Sequence, residues 1–132
     1  MTHRRWRVAL VVNPIAGIGG AVGLKGSDGE RAARAAALGA RPRVAIRVAA
    51  ALEEIRPVAA AVDWYAAGDA MGERSLRAMG ITPRILHRPA QPSEPRDTRR
   101  AAAAALEADV DLLLFAGGDG TARDVLAAVG ER

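Results

Sequence analysis

The sequence predicts an α/β domain built on an open, mostly parallel sheet with helices on both faces. Short apolar segments alternate along the chain with segments of helical periodicity. Two of the apolar segments, Arg7–Val12 and Leu112–Phe115, resemble strands buried on both faces of a parallel sheet. Each runs directly into a glycine-rich turn, and ligands of open parallel sheets bind at the carboxyl ends of the strands. The same observations therefore predict both the fold class and the edge that carries the site.

Length and composition predict one domain over residues 1–132, with too few residues for a second full domain. The hydrophobic fraction is 50% and the charged fraction 26%, as in soluble globular proteins, but aromatics are only 3%. The core is therefore expected to consist of small aliphatic side chains. Cysteine is absent, which excludes disulfides and cysteine-ligated zinc and is in keeping with a reducing cytoplasm.

The charge balance favours a polyanionic ligand. The formal net charge is +4 and the sequence pI is near 10.9, with Lys25 as the single lysine among nineteen basic residues. The arginines are scattered rather than clustered with aromatics, so we expect a nucleotide or polyphosphate and no nucleic acid. No apolar run has the length of a membrane span and the N-terminus has no targeting signal, so we expect a cytoplasmic protein with no membrane partner.

The first half of the chain predicts one strand followed by two helices. Strand Arg7–Val12 breaks at Asn13-Pro14, because asparagine favours a turn and proline cannot donate to the ladder. Ser27 and Glu30 have capping-box spacing and predict a helix that Gly39 closes. A second helix is expected after Pro42 and should stop at Arg56-Pro57; its apolar face would hold Val44, Val48, Ala51, Leu52 and Ile55.

The middle of the chain predicts two strands around a short helix. Ala61–Ala66 is the second strand, with Trp64 and Tyr65 in the core rather than as stacking platforms. Ala70–Met79 is a short helix that Gly80 ends. Thr82–Leu86 follows as a short strand, and its proline, Pro83, indicates either the start of a strand or the edge of the sheet.

A proline-punctuated loop separates that strand from the next helix. His87 begins it and is expected to be a loop residue rather than a catalytic one. Asp97 or Thr98 is expected to cap the helix Arg99–Ala108. This helix leads directly into the strand before the second glycine-rich turn.

That second turn has the chemistry of a phosphate site. Glycine occupies three of the four positions 117–120, with Asp119 between them. Thr121 and Asp124 have capping-box spacing and predict a helix start there, whose backbone N–H groups would favour an anion. An acid at this position suits either a metal contact or a base that takes a proton from an attacking hydroxyl. The alternative is an ordinary βα turn with a solvated aspartate.

The loop Asn13–Gly29 is a second candidate ligand loop, because it is too long and too glycine-rich for an ordinary connection. It lacks the dinucleotide fingerprint, since Val22 stands where the third glycine belongs. It also lacks a Walker loop, because Lys25, Gly26 and Ser27 are in the wrong order. The backbone of its glycines and its single lysine suit an anionic ligand. The alternative is a flexible surface loop that binds no ligand.

With these residues in hand, the chain resembles the ATP-NAD kinase superfamily, and most closely its branch of predicted polyphosphate/ATP-dependent NAD kinases. The resemblance rests on the segments 12–20 and 22–29, on Asp97-Thr98 before a helix, and on the Gly-Gly-Asp-Gly-Thr-Ala-Arg-Asp segment 117–124. The Gly-Gly-Asp-Gly-Thr block alone also occurs in diacylglycerol kinase, sphingosine kinase and phosphofructokinase relatives. The combination is more specific, and implies the NAD kinase/diacylglycerol kinase-like N-terminal fold.

The resemblance implies an NAD kinase-like phosphotransferase that makes NADP from NAD, with ATP or polyphosphate as donor and Mg²⁺. Asp119 would be the catalytic residue and would take the proton of the ribose 2′-hydroxyl of NAD. The remaining residues would bind the donor or line its side of the cleft, with two basic side chains neutralising phosphates: Asn13, Gly17, Gly19, Gly20, Lys25, Gly117, Gly118, Gly120, Thr121 and Arg123. A solvated surface charge is the alternative for Lys25 and Arg123.

Family kinases have a second, β-rich domain that supplies much of the NAD site, so we expect residues 1–132 to be the N-terminal part of a longer two-domain kinase. The alternatives are a related kinase that acts on a lipid, a sugar or an acetoin-pathway acceptor, and a non-catalytic nucleotide-binding remnant. Homo-oligomerisation is left open.

Overall fold

The computed structural model describes residues 4–15 and 43–130. In chain order the elements are β1 (Trp6–Val12), α1 (Arg43–Ala59), β2 (Val62–Ala67), a 3₁₀ turn (Asp69–Met71), α2 (Glu73–Arg77), β3 (Arg84–His87), α3 (Pro95–Glu107), β4 (Leu112–Ala116) and α4 (Asp119–Val129). The predicted loop Asn13–Gly29 and the helix from Ser27 to Gly39 lie almost wholly outside the described residues. The α/β class is confirmed.

The four strands form an all-parallel sheet in the order β3-β2-β1-β4. β2 and β3 extend the sheet to one side of β1, and β4 pairs with its other side. The strand order therefore reverses between β1 and β4. In open parallel sheets such a reversal leaves a crevice at the carboxyl ends of the two strands.

The core lies on both faces of the sheet, because alternate residues of β1 point to opposite sides. Val8, Leu10 and Val12 pack against α1 and α2 on one face. Ala9 and Val11 pack against α3 on the other. α3 also packs along α4. Trp64 and Tyr65 are buried, as predicted, and no helix of the described ranges is long and apolar enough to cross a membrane.

A carboxylate at the amino end of β4 fixes the pairing of β1 with β4. The Arg7 backbone N–H donates to the Asp111 carboxylate at 2.8 Å, and the Asp111 N–H donates back to the Arg7 carbonyl at 2.8 Å. The Arg4 guanidinium also donates to this carboxylate and, with the Arg7 N–H, holds its pKa below the ordinary range. The register places Val12 opposite Ala116, so the two strands end level with each other.

α1 differs from the prediction at its end and on its face. Pro57 does not stop it: the helix continues to Ala59, because only one hydrogen bond is lost so close to the terminus. Val44, Val48 and Leu52 are buried as predicted, whereas Ala51 is exposed.

The predicted helix Ala70–Met79 is wrong, because Gly72 divides it into a 3₁₀ turn and α2. Gly72 has φ +140°, and a Cβ there would lie 2.6 Å from the Leu10 carbonyl oxygen. Only glycine allows this conformation at such close approach to β1. The segment therefore presses against the sheet instead of forming one continuous helix.

The region around β3 also needs three corrections. The strand begins at Arg84, two residues later than predicted, and includes His87, which is not a loop residue. Asp97 and Thr98 are not the cap of α3: Glu94 is the N-cap, and Asp97 at the third helical position completes a capping box by accepting from the Glu94 N–H at 2.7 Å. Among the described strands β3 lies at an edge of the sheet, and Pro83 directly precedes its first residue, in keeping with both of the alternatives that this proline indicated.

β4 is not buried on both faces. Leu112 is 51% exposed and Phe115 43%, while Leu113 and Leu114 pack into the core from opposite faces. The reason is position: among the described strands β4 pairs only with β1 and lies at the edge of the sheet. A continuous apolar run does not distinguish a central strand from such an edge strand.

Candidate functional site

The candidate site lies at the carboxyl ends of β1 and β4, where the strand order reverses. Asn13 follows β1 and donates its backbone N–H to the carbonyl of Ala116, the last residue of β4, at 2.8 Å. Gly117 begins the turn into α4 immediately afterwards. The first residues of both predicted ligand loops are therefore adjacent.

α4 starts two residues earlier than predicted, so the proposed capping box of Thr121 and Asp124 is wrong. Gly118 is the N-cap and Asp119 the first helical residue, which leaves Thr121 inside the first turn. No side chain within residues 4–15 and 43–130 forms a capping hydrogen bond at this helix start. The backbone N–H groups of the first turn have no acceptor within the helix itself, so their partial positive charge is available to an anion.

Gly117 has a packing reason to be glycine. A Cβ at this position would lie 2.2 Å from Thr121 Oγ1 and 2.6 Å from Thr121 Cβ, far inside van der Waals contact. Thr121 is only 3% exposed and covers the turn from within the first turn of α4. The glycine therefore lets the helix start fold back closely over the strand end.

Gly118 and Gly120 have no such reason among the described residues. A Cβ at either position would meet none of their atoms within 4 Å, and neither residue has a left-handed φ. At Gly120, the second helical residue, glycine is also less stable than alanine by up to about 1 kcal/mol. Gly118 is the N-cap, where glycine is favoured over alanine, so Gly120 is the position whose glycine neither packing nor helix stability explains. Bare backbone there would allow close approach of a ligand.

The acidic side chains of the turn differ in their surroundings. Asp119 is exposed at the start of α4, next to the uncapped N–H groups. Asp124 lies one turn further on and accepts from Arg99 Nη1 at 2.9 Å, which joins α4 to α3. Asp119 is therefore available to a ligand, whereas Asp124 serves the helix packing. Arg123 is exposed on α4 and has no ion-pair partner within 4 Å among the described residues.

No group of three or more acidic or histidine side chains that could hold a metal occurs in the described ranges. A divalent ion here would depend on Asp119 and on oxygen atoms brought by a ligand, which is the usual way in which Mg²⁺ binds with phosphates.

Several predicted contact residues cannot be placed. Gly17, Gly19, Gly20 and Lys25 lie outside the described residues. Their proposed roles stay predictions. A shallow depression lined in part by Trp64 is at the opposite, amino-terminal edge of the sheet and does not belong to this crevice.

The sequence did not predict the buried, hydrogen-bonded carboxylates beyond β2 and β3, which lie on the same edge of the sheet. Glu73 is 7% exposed and accepts from the Asp69 N–H, Arg77 Nε and Arg88 Nη1, each at 2.9 Å. The Asp69 N–H and the arginines hold its pKa below the ordinary range. The only signal in the sequence was the Gly68-Asp69-Ala-Met-Gly72-Glu73 segment directly after a strand, where glycines bracket the turn.

Comparison with known proteins gives a match at the level of a family model. No curated protein and no solved structure gives a significant match to the chain. The family model of the ATP-NAD kinase N-terminal domain matches residues 8–132, from β1 through the glycine turn and α4. The chain therefore belongs to the ATP-NAD kinase family.

Proposed function

We propose that this chain forms the donor half of a phosphotransferase site that transfers a phosphoryl group from ATP or polyphosphate to the 2′-hydroxyl of NAD. Membership of the ATP-NAD kinase family supports the reaction class. The choice of donor and acceptor extends the resemblance of the glycine turn and the Asn13–Gly29 loop to the family's kinases.

The observation that carries the proposal is the uncapped start of α4 at the strand-order reversal. Bare backbone at Gly118 and Gly120, free N–H groups and the exposed Asp119 occur within one helical turn. Backbone donors at a helix start suit the terminal phosphates of a donor, and the carboxylate beside them is at the point where an acceptor hydroxyl would approach.

Asp119 would act as the base. Its carboxylate takes the proton of the acceptor hydroxyl while that oxygen forms a bond to the terminal phosphorus of the donor. The bond from that phosphorus to its bridging oxygen breaks, and the electron pair leaves with the shortened donor. Because such a transition state needs mainly positioning and charge neutralisation, a set of fixed backbone donors with one base is sufficient protein machinery on this side of the cleft.

Mg²⁺ fits this site as an ion held by Asp119 together with the donor phosphates, and when bound it would neutralise their charge. Arg123 is on the same helix, one turn after Asp119, and its exposed guanidinium would add to the attraction for the donor. The net charge of +4 acts in the same direction at longer range.

The test is phosphate transfer to NAD with ATP or polyphosphate, measured for wild type, Asp119→Asn and Asp109→Asn. Asp109 is a suitable control because it is an exposed aspartate in the turn before β4, at the opposite edge of the sheet, and asparagine tolerates its φ of +59°. We expect Asp119→Asn to lower kcat by roughly 100-fold or more, in the range for loss of a general base, with an unchanged fold. Asp109→Asn should match wild type.

Full activity in Asp119→Asn would contradict the role of this carboxylate. A different outcome is an acceptor screen that finds transfer to a lipid, a sugar or an acetoin-pathway compound and none to NAD. That result would contradict NAD as the acceptor, while the proposed donor half would stand. Binding of MgATP with no transfer to any acceptor would instead identify a nucleotide-binding module.

A further inference from the structure

Asn13 and Thr121, both predicted to contact the donor side of the cleft, form a direct contact with each other across the crevice. Asn13 Nδ2 donates to Thr121 Oγ1 at 3.1 Å. Asn13 follows β1 and Thr121 is in the first turn of α4, 108 residues further along the chain. This hydrogen bond joins the two chain segments that border the candidate site.

Both side chains have their polar atoms engaged within the chain. Asn13 Oδ1 accepts from the Ile15 N–H at 3.2 Å, while Nδ2 is engaged with Thr121. Thr121 is 3% exposed, and its Cβ and hydroxyl cover Gly117. A side chain so placed has little surface left for a ligand. Asp119, two residues before Thr121, is by contrast exposed.

We infer that Asn13 and Thr121 act as a clamp that positions the start of α4, rather than as groups that touch the donor. The clamp consists of the Asn13 amide, the Thr121 hydroxyl and the bare Gly117 beneath it. The inference rests on the proposed function for its consequence in catalysis, but the clamp itself is a property of the unliganded chain.

The positioning effect follows from helix geometry. Asp119 and Thr121 belong to the same first turn, whose N–H groups lack helical partners and which would otherwise fray. Fixing Thr121 to the end of β1 fixes the direction of those N–H groups and of the Asp119 carboxylate. A displacement of about 1 Å in a phosphotransfer site lowers the rate by on the order of 100-fold.

The test is a double-mutant cycle with Thr121→Val, Asn13→Ala and the double variant. Valine keeps the shape of threonine over Gly117 but removes the acceptor. Asn13→Ala also removes the hydrogen bond from the Ile15 N–H, but it does so with either residue at position 121, so this effect cancels in the cycle. Two quantities are measured: the Kd for MgATP or magnesium tripolyphosphate by calorimetry, and, without ligand, hydrogen exchange of the amides of residues 122–125, which form the first hydrogen bonds of α4.

We expect each single variant to weaken binding roughly tenfold, about the effect of one hydrogen bond, and the double variant to be no weaker than the worse single one. Exchange at residues 122–125 should accelerate in all three, because their hydrogen bonds are to the first turn of α4. Thr121→Ser retains the acceptor and should restore binding and protection. Thr82→Val, an exposed threonine at the amino-terminal edge, should resemble wild type in both measurements.

Additive losses of binding with unchanged exchange would show that the two residues contact the donor independently, and would overturn the clamp. If wild type binds neither MgATP nor tripolyphosphate, the proposed function fails, while the exchange measurement still decides on the clamp. Exchange that is unchanged in the variants overturns the clamp in that case too.

Discussion

The carboxyl edge of the sheet has two halves that use carboxylates in opposite ways. Beyond β2 and β3, Glu73 and Asp97 are buried and each accepts three hydrogen bonds from the chain itself. Beyond β1 and β4, Asp119 is exposed beside a helix start that no side chain of the described residues caps. One half uses its carboxylates to hold the fold, and the proposed function assigns the exposed carboxylate of the other half to a ligand.

The difference follows from where the strand order reverses. β2 and β3 follow one another to the same side of β1, so the turn and the loop after them can pack over their ends. β1 and β4 lie on either side of that reversal, where open parallel sheets have a crevice at the ends of the strands. The contrast between the two halves is therefore a property of the topology, and variants can test it on each side.

We expect the largest effect on stability beyond β2 and β3, in what we call the closed half of the edge; the half beyond β1 and β4 is the open half. Asp97 accepts from His87 Nε2 at 2.8 Å and from the N–H groups of Glu94 and Ala90 at 2.7 and 3.4 Å. Asp97→Ala leaves these donors unsatisfied and should lower the free energy of unfolding by about 2–4 kcal/mol in urea titrations. Asp119→Ala should change it by no more than about 0.5 kcal/mol. Equal losses of the free energy of unfolding at the two aspartates would contradict the contrast between the two halves.

The same carboxylate predicts an acid dependence. Burial opposes ionisation of Asp97, but the hydrogen bonds from His87, Glu94 and Ala90 prevail and keep its pKa below the ordinary value of 3.8. The folded state therefore binds this proton less readily than the unfolded state, and the stabilisation is complete above about pH 4 and lost as pH falls through the folded-state pKa. The difference between wild type and Asp97→Asn should accordingly shrink on acidification below about pH 4, and a constant difference would contradict this role.

Within the open half, Gly117 and Gly118 should differ in how much stability is lost when each is replaced by alanine. Gly117→Ala would place a methyl group against buried Thr121 and should lower the free energy of unfolding by about 1–3 kcal/mol, as overpacking does. Gly118→Ala meets none of the described atoms within 4 Å and should lower the free energy of unfolding by less than about 1 kcal/mol, because alanine is a poorer N-cap than glycine. Thermal unfolding of the two variants separates them, and similar losses would show that the turn is closed by packing throughout.

The sequence predicted the fold class, the alternation of strands and helices along the chain and the edge that carries the site, because these depend on apolar periodicity and on glycine placement. It predicted helix starts less well. Thr121 and Asp124 have the spacing of a capping box, but threonine is engaged by Asn13 and Asp124 by Arg99, both more than twenty residues away in sequence. Local spacing cannot reveal partners supplied by the tertiary fold.

The side-chain contacts of the closed half could not be predicted from the sequence for the same reason. Nothing near Glu73 in the sequence indicates that Arg88 will reach it, and the prolines after His87 indicate a loop although Asp97 holds this histidine at the end of β3. Exposure of β4 was also unpredictable, because Leu112 and Phe115 have the pattern of core residues until the strand order puts them at an edge.

If donor phosphates bind to the bare backbone at the start of α4, the Gly120→Ala variant should bind MgATP more weakly than wild type does. Alanine at this helical position has open space among the described residues, so the free energy of unfolding should stay equal or rise by up to about 1 kcal/mol. The Kd for MgATP should nevertheless increase by roughly tenfold, because the methyl group occupies the approach to the N–H groups. An unchanged Kd in a stable Gly120→Ala variant, or no binding by wild type, would contradict the account.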